Sequence, residues 1–124
     1  MNNELTVFVT AFNNRNYETA HNLAVAQHEQ SIDKESLFWD GICEMCCGYI
    51  AISKADLETA EPLLVSSMGK LRNFGFKYGD FEITSALAGM RRGYDELRRV
   101  AENKGTVFDV TMLPKLKLSS SQAV

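Results

Sequence analysis

A chain of 124 residues holds one hydrophobic core and leaves little room for a second. Apolar residues at 45% and charged residues at 23% exclude a disordered chain, and no apolar run approaches the roughly 20 residues needed to cross a bilayer. The net charge of −3 is uneven: residues 1–62 carry 3 Lys/Arg against 10 Asp/Glu, and residues 63–124 carry 10 against 6.

From Glu4 to Phe12, Leu5, Phe8, Val9 and Phe12 recur at i, i+3, i+4 and i+7, the apolar stripe of a helix. Asn13-Asn14-Arg15-Asn16 should end it, because asparagine bonds nearby backbone groups and favours turns. A second helix is expected from Tyr17 to about Gln30, followed by a polar loop, Ser31 to Glu35. The third, Ser36 to Ser53 with Ser36 as N-cap, is apolar around most of its circumference and belongs at the centre of a bundle.

Asp56 opens a fourth helix running to about Phe74, in which Pro62 should either kink the helix or mark its first turn. Phe74 to Asp80 reads as a turn, with no sheet expected. Phe81 to Asn103 regains helical spacing, and Gly105 suits a C-terminal stop. Beyond it, Val107, Val110, Leu113 and Leu116 are expected to lie against the bundle, and Ser119 to Val124 to form a loose tail. The fold class is therefore all-α: a single-domain antiparallel bundle of about five helices over residues 1–105, with an extended C-terminal tail over 106–124 that is partly packed and then flexible.

The start, Met1-Asn2-Asn3-Glu4, lacks a basic segment followed by an apolar one, so no secretory signal and a cytoplasmic location are expected. Cys43, Cys46 and Cys47 are odd in number and crowd one helix. They read as small core thiols rather than a disulfide framework, a redox pair or a zinc site.

Residues Phe12 to Phe81 carry a recurrent order. Phe12-Asn13, Tyr17 and His21 are followed by Phe38-Trp39-Asp40-Gly41-Ile42-Cys43-Glu44, then Thr59-Ala60, Leu63-Leu64 and Lys70-Leu71-Arg72. This order resembles a small all-helical prokaryotic and plastid family known as domain of unknown function 309. The family places two glutamates and a tryptophan after its histidine, where this chain has Asn22, Val25 and His28. It places two glutamines on its central helix, where this chain has Asp40 and Glu44. The resemblance implies a helical fold and supplies no activity.

Two constellations are candidates for function. Glu18, His21 and His28 share a broad face of the second helix, and Asp40 and Glu44 are i, i+4 on the third. Were those faces to meet, the five residues would offer a metal site or an acid–base pair, although carboxylate-bridged metals in bundles use two Glu-x-x-His motifs and this chain has one. Arg91, Arg92, Arg98 and Arg99 form a stripe on the last helix, with Lys70, Arg72 and Lys77 as basic neighbours. The alternative is a solvated face paired with Glu82, Asp95 and Glu96.

Arg72 to Gly79 interleaves basic and aromatic residues like an RNA-binding strand, a motif that works only on a sheet. Nucleotide-cradling glycine loops and a G-x-S-x-G elbow are absent, and no cofactor is expected. The first reading is thus a non-enzymatic protein-interaction module (adaptor, regulator or inhibitor), as a monomer or homodimer, docking through its arginine stripe. The second is a metal-binding or hydrolytic protein, and the third, ranked below both, is a nucleic-acid binder.

Overall fold

The computed structural model describes residues 3–119. Its five α-helices are α1 (Asn3–Asn13), α2 (Tyr17–Gln30), α3 (Asp33–Ser53), α4 (Leu57–Leu71) and α5 (Ile83–Glu102). A 3₁₀ turn, Arg72–Phe74, and a two-stranded antiparallel hairpin of β1 (Lys77–Tyr78) and β2 (Phe81–Glu82) join α4 to α5. The all-helical bundle expected from the periodicity is present, and none of its helices is long and apolar enough to cross a membrane.

Helix α3 is the central element, burying ten residues including Phe38, Trp39, Ile42, Met45, Cys46 and Tyr49. Its aromatic side chains weld both ends of the bundle: Phe38 packs on Phe74, Tyr78 and Phe81, while Tyr49 meets Phe12 and Tyr17. Two connections, α1–α2 and α3–α4, close with the same left-handed cap. Asn16 N–H donates to the Ala11 carbonyl with Arg15 at φ 64°, and Asp56 N–H donates to the Ala51 carbonyl with Ala55 at φ 61°.

Several boundaries differ from expectation. Helix α3 begins at Asp33 after an uncapped, exposed Ile32, so Ser36 is not its N-cap. The acidic Asp33 and Glu35 instead complement the positive end of the helix. Asp56 caps α4 by accepting from Thr59 N–H, and Pro62 lies inside that helix rather than at its first turn. A small sheet forms where none was expected. Gly79 takes φ 58° at the first position of the two-residue turn, where only glycine is unstrained, and this closes the hairpin.

Residues 106–119 form a strap across the bundle. Leu116 N–H donates to Asn13 Oδ1 at 2.7 Å, Asn13 Nδ2 donates to the Leu116 carbonyl, and Leu118 bridges to Phe81. Pro114 seats so closely on α5 that a Cβ at Gly89 would lie 2.6 Å from the proline Cβ. Leu116 is buried and Leu113 half-buried as expected, but Val107 and Val110 are exposed, 79% and 57%. The strap turns outward there because its anchors are polar: Glu96 accepts from Asp109 N–H, and Arg99 donates to the Val107 carbonyl. The loose tail expected from Ser119 onward lies, apart from Ser119 itself, outside the described residues.

Candidate functional site

The carboxylates Asp40 and Glu44, one turn apart on α3, do come together, but against α4 rather than α2. Lys70 Nζ lies 3.0 Å from both, and Ser66 Oγ donates to Glu44 at 2.7 Å. These hydrogen bonds, first to Glu44 and then to Asp40, hold the Lys70 ammonium above its ordinary pKa. Beneath them Ser67, fully buried, donates to the Gly41 carbonyl. The result is a closed polar seam in which each charge has an internal partner.

Glu18 faces away from this seam and pairs across solvent with Lys54. His21 and His28 are half-buried on α2, and neither imidazole makes a hydrogen bond or ion pair among the described residues. Among the described residues no group of three or more His, Cys, Asp or Glu could hold a metal. The three cysteines are free thiols. Burial pushes Cys43 up to about 11, assisted by Cys47, Asp40 and Glu44, and raises Cys46 and Cys47 as well, so these thiols are poor nucleophiles at neutral pH.

The basic residues divide into two groups. Arg98 pairs with Glu61 and Glu102. Arg99 donates twice to Glu96, at 2.8 and 2.6 Å, and that fork is the main reason the Glu96 carboxyl falls to about 2. Glu96 was the one anticipated partner; Glu82 and Asp95 make no ion pair with the arginines, and Glu61 from α4 takes that role. Lys70 belongs to the seam, and among the described residues Lys77 on β1 reaches only Ser119.

The second group is Arg72, Arg91 and Arg92, exposed and without a carboxylate partner among the described residues. Arg72 and Arg91 border one cleft of about 310 Å³ between α4 and α5, whose floor and wall are Val65, Met68, Gly69 and Tyr94. The sequence pattern did not single out Val65. Its signal was an apolar side chain at a solvent position, and it is 49% exposed. Chemically, the cleft presents two forked cations beside an apolar and aromatic surface, an arrangement suited to a carboxylate next to a hydrophobic side chain.

No protein-family model matches the chain, and no curated protein sequence matches it significantly.

Proposed function

We propose that this protein is a non-enzymatic helical interaction module that binds an acidic, partly apolar segment of another protein across the α4–α5 cleft. The observation that carries the reading is the unspent charge of Arg72 and Arg91 beside exposed Val65 and half-buried Tyr94. Arginine and aromatic residues are enriched where binding energy concentrates, and a desolvated arginine fork gives a carboxylate both attraction and direction. The partner-binding set accordingly narrows from seven basic residues to Arg72 and Arg91, with Arg92 alongside. Lys70, Arg98 and Arg99 serve the fold.

A cytoplasmic setting and a monomeric or homodimeric state belong to the same proposal. Three unpaired cysteines fit a reducing compartment. The resemblance to domain of unknown function 309 adds a proposed kinship of fold only. A photo-crosslinking residue installed at Val65 is the direct test. Cross-linking to an acidic partner that disappears when Arg91→Glu is added supports the proposal. A partner captured equally well by both forms contradicts it.

A further inference from the structure

A second hollow lies at the far end of α4 and shares no lining residue with the cleft. It measures about 550 Å³, within the roughly 300–1,000 Å³ typical of small-molecule sites. The ends of α3 and α4 supply Ile52 and Leu57, and the strap supplies Phe108, Val110 and Leu113, so the lining is predominantly apolar. Val107 and Val110 stay largely exposed at its rim, which leaves the hollow open to solvent.

One charged side chain borders this apolar space. Arg15 borders it with no carboxylate partner among the described residues; its guanidinium makes only a 3.5 Å hydrogen bond to the Val110 carbonyl. Its backbone is held at φ 64°, a conformation strained for a side-chain-bearing residue and adopted freely by glycine. Tyr17 also lines the hollow. It is 4% exposed, its ring stacks on Tyr49, and its hydroxyl is buried without a hydrogen-bond partner among the described residues. A cation without an anion beside a wall of apolar side chains is complementary to one chemistry.

We infer that this hollow is a binding site for a small amphipathic monocarboxylate, its hydrocarbon body against Ile52, Leu57, Phe108 and Leu113 and its carboxylate on Arg15. Arg15 is the specificity-determining residue, because it alone among the lining residues carries a charge.

Decanoate and decan-1-ol, each below its micelle-forming concentration, serve as probes in a titration followed by methyl and amide NMR of the full chain. Saturable one-to-one binding is expected, with shifts at Leu57, Val110 and Leu113 and a preference for decanoate of about tenfold or more, the worth of a charge-assisted hydrogen bond. Arg15→Gly should remove that preference while leaving decan-1-ol binding and the melting temperature intact, since glycine relieves the left-handed backbone. Val110→Glu, at an exposed rim position, should repel decanoate by a similar factor. The inference is overturned by non-saturable binding, by shifts centred elsewhere, or by an undiminished carboxylate preference in Arg15→Gly.

Discussion

Lys70, in the last turn of α4, and Arg72, which caps that helix, lie two residues apart, yet the two cations meet opposite fates. On the face toward α3, Lys70 closes a seam with Asp40, Glu44 and Ser66. On the face toward α5, Arg72 borders a cleft with Arg91 and no carboxylate partner among the described residues. Charge and spacing alone do not separate them; what does is whether a neighbouring helix supplies an acceptor. A basic residue whose partner is internal stabilises the fold, and one whose partner is missing is available to bind. Both hypotheses above rest on that distinction.

The largest expected effect tests the satisfied class at its most buried member. Glu96 accepts from Arg99 twice and from Asp109 N–H, pinning the strap to α5. Glu96→Ala should cost about 3 kcal/mol in urea unfolding at pH 7, the worth of a lost charged hydrogen-bond set. Because the folded pKa of Glu96 is depressed to about 2, its contribution is present above the unfolded value of about 4.3 and is lost as pH falls toward 2. The gap between wild type and Glu96→Gln should therefore narrow between pH 5 and pH 2, and a constant gap contradicts the assignment.

Next comes the strap's seat. Gly89→Ala brings a Cβ to 2.6 Å from Pro114 Cβ and should destabilise by about 1–2 kcal/mol despite the better helix propensity of alanine. Thermal melts would check this, and an unchanged midpoint would mean that the strap is loosely held. In the seam, Lys70→Met should cost about 1 kcal/mol, modest because all three charges are partly solvated. The raised Lys70 pKa makes that contribution complete below pH ~10.4 and lost only as pH climbs further. Smallest is Gly69→Ala. A Cβ there meets nothing within 4 Å, so the helix should gain about 0.5 kcal/mol while the added methyl narrows the cleft and weakens partner binding.

Much of the bundle was legible because its helices bury periodic stripes. Leu5, Phe8, Val9 and Phe12 mark α1, and the all-round apolar α3 takes the centre. The hairpin was not, since strands of two residues are too short to show alternation, and its closure depends on Lys77 and Tyr78 pairing with Glu82 and Phe81. The strap was half legible. Leu116 reads as apolar and is buried, but nothing local reveals that the Asn13 side chain, 103 residues earlier, holds its backbone. The candidate sites followed the same division. Asp40 and Glu44 declared themselves as an i, i+4 pair, whereas their partner Lys70, 26 and 30 residues away, emerges only when α3 and α4 pack. Likewise the arginine stripe was visible, but its division into paired Arg98 and Arg99 and unpaired Arg91 and Arg92 required Glu61 and Glu96 in place.

The most direct measurement sets the two faces of α4 against each other. Lys70→Met and the double variant Arg72→Glu/Arg91→Glu would each be melted, and each titrated calorimetrically with a synthetic peptide bearing two glutamates beside a leucine. The expected result is a crossed pattern: Lys70→Met melts lower and binds like wild type, while the double variant melts like wild type and loses at least about tenfold in affinity. A double variant that unfolds early, or that binds the peptide unchanged, would contradict the claim that the α4–α5 arginines are held for a partner.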